Sequence, residues 1–532
     1  MLVNLIFVLL FNFASSFSQY PKLLLVSFDG FRYDLLTETL VPNIYKWAKS
    51  NTWFQNGVQS QYVSFTLPNH MSIATGLHEE NHGILSNYFY DPDRKKFFDY
   101  FNYTKTPGNV SKEEFWYEGD PIWLTNERSN ETRKSGVYFW PTGDATYPIA
   151  PHQPSIQKSW KGAGSLNVWM KDLDELLDSF LKVKDPINFG AWYVAEPDTT
   201  LHKNGFHNGA LEKKLTELDN AFHYLIERIH ELGLTSEINI ILTADHGHYE
   251  IKDEKHVMCV HEYISKGNYV ITDHMIYTDD HNLAKELMKN LTDAVAANEF
   301  EVDFHWKEDL PERWHYQKNN RIGAIVFEPK LGSTVSFSCK RSELEATYGQ
   351  NGTLPFNSST HGMDPSLREM RAFLVMGGPV FAKNLSILDL PENIDLYPLM
   401  CKILQIDPSP HDGSISVVQQ ALESYQLNKP HTVDTFLTNT TETMSFLFIL
   451  LPSMCIVGLF FAYGCRHTVC KEDPQWGRTE GSRGYRPLQH PDDDGIEDLE
   501  LGRPREARNN RNVSTGAVRM SGLLDDLSDD EI

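Results

Sequence analysis

Thr66 stands in Ser64-Phe65-Thr66-Leu67-Pro68-Asn69-His70, two positions before a proline and at the head of an apolar-periodic run. Proline is tolerated in the first turn of a helix, so the spacing predicts that Thr66 lies close to a helix N-terminus. That end carries unpaired N–H groups and partial positive charge, which favour a bound phosphate. A threonine hydroxyl is a weak nucleophile near neutral pH and needs a base or a metal to activate it. Side chains that zinc accepts as ligands recur along the chain: Asp29 in Phe28-Asp29-Gly30, Asp198 and His202 spaced D-x-x-x-H, the pair Asp245-His246, and His361 before a glycine. Grouped, they give one site from Asp198, His202 and His361, and another from Asp29, Asp245, His246 and the Thr66 oxygen. Two metals ~3.5–4 Å apart would activate the hydroxyl and clamp the phosphoryl oxygens. Each piece alone is weak, since Asp-Gly is a common turn and a lone threonine before a helix is usually a cap. Their joint placement carries the reading.

The elements that must position these residues are short apolar runs. Residues 22–30, 187–198 and 238–247 each read as a buried strand ending in a carboxylate, and 371–376 reads as another strand. Helical patterns at 167–183 and 208–234 lie between them. Strands alternating with helices predict an α/β fold, a mostly parallel sheet sandwiched between helices. Ligands in such folds sit outside the C-terminal edge of the strands, so Asp29, Asp198 and Asp245 should project toward one rim.

The rest of the chain sets the compartment. A net charge of −24 over 532 residues argues against nucleic acid as a partner, because phosphate binding needs a basic face. An apolar N-terminal stretch followed by small residues reads as a signal peptide, residues 1–18. A second apolar stretch, 444–465, has the ~20 residues a membrane helix needs, with Arg466, His467 and Lys471 after it. The positive-inside rule then makes this a single-pass type I protein of the plasma membrane. A single catalytic ectodomain spans 19–424, a polar stalk 425–443 and a disordered cytoplasmic tail 466–532. Glycosylation sequons start at Asn102, Asn109, Asn130, Asn290, Asn351, Asn357, Asn384 and Asn439, all before the membrane helix; Asn512 matches on the cytosolic side and should stay unmodified. Cys259, Cys339 and Cys401 allow one lumenal disulfide of open pairing. In the tail, Tyr485-Arg486-Pro487-Leu488 has the form of a signal for sorting adaptors, and Ser528 sits in an acidic run suited to a kinase.

Longer stretches match a known family. They are Val26-Ser27-Phe28-Asp29-Gly30-Phe31-Arg32, Thr66-Leu67-Pro68-Asn69-His70, Asn81-His82-Gly83-Ile84, Glu196-Pro197-Asp198 with His202, Asp245-His246-Gly247, and His361-Gly362. On these the chain resembles the ectonucleotide pyrophosphatase/phosphodiesterases of the alkaline phosphatase superfamily, over roughly residues 20–415. The resemblance implies an alkaline-phosphatase-like sheet, two zinc ions in the grouping above, and Thr66 as the covalently modified nucleophile. It assigns Asn69 to the phosphoryl oxygen and Trp123 and Tyr138 to the two sides of a nucleotide base. Leu67 stands where nucleotide-cleaving relatives usually carry a stacking aromatic, and His248 replaces a usual methionine. The implied substrates are extracellular nucleotides and dinucleoside polyphosphates. The alternatives are a choline-phospholipid phosphodiesterase on the same scaffold and a non-catalytic adhesion or receptor ectodomain.

Overall fold

A computed structural model describes residues 20–100, 110–160, 162–252, 256–336 and 359–428. The expected signal peptide, membrane helix and cytoplasmic tail lie outside the described residues, as do Cys339 and the sequons at Asn102, Asn109, Asn351, Asn357, Asn439 and Asn512. Among the described residues, no helix is long and apolar enough to cross a membrane. Asn130 and Asn384 are exposed and Asn290 is half-buried on a helix. Cys401 is a buried thiol, not joined to Cys259.

Eight strands form the main sheet: β1 (Lys22–Phe28), β2 (Thr52–Val58), β3 (Ser135–Tyr138), β4 (Ile156–Lys158), β5 (Phe189–Val194), β6 (Ile238–Thr243), β7 (Ala372–Gly377) and β8 (Leu385–Ile387). Their order across the sheet is β8-β2-β7-β6-β1-β5-β3-β4. Every residue of β1, β5 and β6 is buried, so both faces of the sheet centre are covered. That is why these strands read as continuous apolar runs rather than alternating ones. Helices α1 (Pro42–Ser50), α4 (Leu166–Leu181) and α6 (Ala210–Glu231) pack together in one group; α2 (Thr66–Thr75), α3 (Ile122–Ser129) and α7 (Leu396–Leu404) pack in another. Along α6, Leu211, Leu215, Leu218, Phe222, Leu225 and Ile229 recur at three- and four-residue intervals, a buried stripe of helical period. Each such side chain contributes roughly 1.5–3 kcal/mol by leaving water.

One strand departs from the parallel pattern. β1 is parallel to both β5 and β6, whereas β7 runs antiparallel to β6 and β2. The start of an antiparallel strand lies at the same rim as the ends of its neighbours. His361, which precedes β7, is thereby brought to the edge where Asp29 and Asp245 follow β1 and β6. A smaller antiparallel sheet was not foreseen. It is built from Val270–Ile271, Met275–Tyr277, Val302–Trp306 and Ile325–Pro329, and the long helix His281–Asn298 packs against it. Ile276, Leu287, Leu291, Ile325 and Phe327 give it a core of its own. Its strands, two to five residues long, carry too short a pattern to stand out in the sequence.

Candidate active site

Each predicted ligand reaches one rim by a different local device. Asp29 follows β1, and its amide is held by Val194 O at 2.9 Å. Asp245 follows β6, its Oδ1 accepting from Gly30 N at 3.0 Å. Asp198 and His202 lie one turn apart on the helix α5 (Asp198–Asn204), as the D-x-x-x-H spacing predicts. Thr66 opens α2, whose first turn is braced by His70: its Nδ1 donates to Thr66 O at 2.8 Å. Leu67 N is already bonded and Pro68 has no N–H, so the expected helix-end anion site narrows to the Thr66 amide.

Two clusters result. In the first, His246 Nε2 lies 3.0 Å from Asp245 Oδ2, 3.5 Å from Asp29 Oδ1 and 3.4 Å from Thr66 Oγ1. In the second, Asp198 Oδ1 lies 2.6 Å from His248 Nε2, 3.3 Å from His202 Nε2 and 3.4 Å from His361 Nε2. The His246 and His361 rings stack at 3.6 Å and join the two. The structure thus brings together all seven residues singled out for metal binding.

The outer contacts of the rings fix which nitrogens carry protons. A carbonyl only accepts, so His246 Nδ1 donates to Gly247 O at 3.0 Å and His361 Nδ1 donates to Ser64 O at 2.8 Å. On the neutral rings each Nε2 is then a lone pair facing a carboxylate oxygen. Asp29 Oδ1 and Asp245 Oδ2 are buried with no hydrogen-bond partner. Burial, then the Asp245 and Asp198 charges, pushes the Asp29 carboxyl well above the usual range. Burial also disfavours charge on Asp198 and Asp245, yet His202 and His248 hold Asp198 well below the usual range, and His246 and His70 lower Asp245. Buried carboxylates facing bare imidazole nitrogens fit a divalent cation, and this oxygen and nitrogen set is one zinc accepts.

This chain belongs to the type I phosphodiesterase/nucleotide pyrophosphatase family. The family model matches residues 23–421. The chain is 31% identical over 404 residues to a Xenopus laevis bis(5'-adenosyl)-triphosphatase, enpp4, covering 75% of this chain and 81% of that one. It is also 31% identical over 421 residues to human ectonucleotide pyrophosphatase/phosphodiesterase family member 5, covering 78% and 81%. Among solved structures, an inactive threonine-to-alanine variant of murine member 5 in complex with AMP aligns with a TM-score of 0.65 and 30% identity, over 76% of this chain and 100% of that one.

Four expected contacts take other roles. Asn69 is saturated: its Oδ1 accepts from Gln61 N at 2.7 Å and Asn393 Nδ2 at 2.9 Å, and its Nδ2 donates to Val63 O and Phe65 O, both at 3.0 Å. It braces the loop before α2 and has nothing left for a phosphoryl oxygen. Trp123 is 0% exposed and Tyr138 1%, so neither ring offers a face to a base. Tyr138 instead reaches Ser179 of α4 at 3.2 Å. Leu67 is fully buried in the core.

Other residues stand where those were expected. Asn87 Oδ1 accepts from Leu67 N at 2.9 Å, and among the described residues its Nδ2 has no protein partner. This leaves a donor beside Thr66. Phe65, half-buried, sets its ring edgewise to His361 at 5.7 Å and is the aromatic nearest the nucleophile in sequence. Tyr193 donates its hydroxyl to Asp29 Oδ2 at 2.5 Å. It lies inside the β5 apolar run, where nothing but that run marked it.

Proposed function

We propose that this family member is a cell-surface two-zinc phosphodiesterase/pyrophosphatase that hydrolyses extracellular nucleotides or dinucleoside polyphosphates through a covalent threonine intermediate. The observation that carries the reading is the placement of Thr66 Oγ1 at a helix N-terminus, 3.4 Å from His246 Nε2, where two carboxylate–imidazole clusters meet. Asp29, Asp245, His246 and Thr66 would hold one zinc, and Asp198, His202 and His361 the other. Bound there, the metals supply charge that lowers the hydroxyl's pKa and neutralises the phosphoryl oxygens.

The chain's own residues then account for the steps. Thr66 Oγ1 gives up its proton to solvent and forms a bond to phosphorus as the bond to the leaving group breaks on the opposite side, the leaving oxygen keeping the electron pair. The nucleoside monophosphate is left esterified to Thr66. Water attacks the same phosphorus and releases a proton, the bond to Oγ1 breaks with Oγ1 keeping the electron pair and taking up a proton, and the monophosphate leaves. Asn87 Nδ2 donates to a phosphoryl oxygen throughout, the role that Asn69 cannot fill. His70 keeps the first turn of α2 in register, and Tyr193 fixes the orientation of Asp29. The AMP bound to the murine relative is the kind of product this sequence of steps would release. A membrane helix at 444–465 would hold the site outside the cell, with the tail free for adaptors.

The test is hydrolysis by the full-length chain of a dinucleoside polyphosphate, ATP and a choline phosphodiester, each with and without a zinc chelator. Chelator-sensitive release of a nucleoside monophosphate is expected. Cleavage of the choline ester alone would overturn the nucleotide assignment, and metal-loaded protein inert on every substrate would favour a binding ectodomain.

A further inference from the structure

We infer that Asp273 is a positioning residue for the reaction: it holds Asn87 where the Nδ2 of that side chain meets the phosphoryl group on Thr66. The inference rests on the reading above, in which Asn87 donates to a phosphoryl oxygen, and names the residue that aims it. It also gives the smaller antiparallel sheet, to which Asp273 belongs, a part in the chemistry.

The first observation is one acceptor shared by both neighbours of Asn87. Asp273 Oδ2 accepts from Ser86 Oγ and from Tyr88 N, each at 2.8 Å. A single oxygen between donors on residues 86 and 88 holds the chain on both sides of residue 87. Asn87 is tied in turn to the nucleophile's helix, its Oδ1 accepting from Leu67 N at 2.9 Å. With the backbone and Oδ1 both held, the direction of Nδ2 is set.

The second is where Asp273 stands. Asp273 and His274 form the tip of a hairpin between Val270–Ile271 and Met275–Tyr277, closed by Thr272 N donating to Met275 O at 2.9 Å. Phe327 N donates to His274 O at 2.8 Å and fastens the tip to the next strand. His274 Nε2 lies 3.1 Å from the Tyr316 hydroxyl, which donates to Leu85 O at 2.6 Å, two residues before Asn87. The His274 ring also meets Phe65, the neighbour of Thr66, edge to face at 5.5 Å. One hairpin tip thus touches both the Asn87 loop and the nucleophile's loop, and fixes the gap between them. A shift of about 1 Å in such a donor can cost about 10²-fold in rate.

The test is a double-mutant cycle on the full-length chain supplied with zinc, read by steady-state hydrolysis of a dinucleoside polyphosphate. Asp273→Ala should lower kcat about 10–100-fold with KM within about 2-fold of the parent's. Asp273→Asn keeps an acceptor oxygen and should stay within about 3-fold. Joined to Asn87→Ala, Asp273→Ala should cost less than about 3-fold, because nothing is left to aim. Ser86→Ala removes one of the two bonds and leaves the hairpin intact. It should lower kcat about 3–10-fold with Asn87 present and not without it, which decides the matter if Asp273→Ala does not fold. Losses of equal size with and without Asn87 would overturn the inference and leave Asp273 as a support of the fold. An Asn87→Ala variant with the parent's kcat, or a parent chain inert on this substrate, would overturn the reading beneath it as well.

Discussion

The two halves of the site are built from different material. Asp29, Asp245 and His246, beside the nucleophile, have side-chain exposures of 2%, 0% and 0%; of the other half, Asp198 and His202 have 14% and 35%, with His361 buried at 5%. The buried half hangs on β1 and β6, central strands with every residue covered. The open half hangs on α5, a seven-residue helix, and on the segment before β7. Charge acts strongly in a dry setting, which suits activation of a hydroxyl. Substrate and water need a way in, which suits a helix and a loop at the surface. The nucleophile therefore belongs to the core and access to the periphery.

That contrast can be broken from several directions. Thr66→Ala should lower turnover at least about 10³-fold while both clusters keep their metal, read by steady-state kinetics beside metal analysis. Wild-type rates would remove the covalent step. Asn87→Ala should lower kcat about 10²–10³-fold, as loss of a donor to the transition state does, and lower the melting temperature only by the one hydrogen bond to Leu67 N that it removes. Asn69→Ala should do the reverse, mainly lowering the melting temperature, because four hydrogen bonds, three of them buried, are lost. Equal kinetic effects of the two would refute the exchange of roles. Tyr193→Phe should weaken metal binding about 10-fold at the buried half alone, seen as a split between two competition midpoints.

The smallest effect lies outside both halves. Burial pushes the Glu328 carboxyl up to about 8, against an ordinary value of 4.5; one oxygen accepts from Asp364 N at 2.7 Å and the other is unpaired. The folded chain holds this proton where the unfolded chain has released it. The stability it contributes is present below pH 4.5 and lost progressively as pH rises to about 8. The loss has an upper limit of roughly 1.4 kcal/mol per pH unit. Glu328→Gln should therefore raise the melting temperature more at pH 8 than at pH 5, without changing either metal midpoint. A pH-independent difference would refute the shift.

Much of the site was legible because its residues end apolar runs. Asp29 and Asp245 follow strands buried on both faces, and those runs mark their own ends. Asp198 and His202 needed only the helical period. His361 was harder, since it precedes a strand, and it joins the rim only because β7 runs antiparallel. The misread residues share another cause. Asn69 and Asn87 are both asparagines near the nucleophile, and only the hydrogen bonds say which one has a donor to spare. Trp123, Tyr138 and Leu67 are large apolar residues, and burial, which a sequence does not print, decides whether such a side chain packs the core or faces a ligand.

Metal analysis of the purified full-length chain, beside its Asp245→Ala variant, tests the central claim most directly. Two zinc ions per parent chain and one per variant are expected, the remaining ion held by the open half. A parent chain that stays metal-free under zinc-replete conditions, or a variant that keeps both ions, would contradict it.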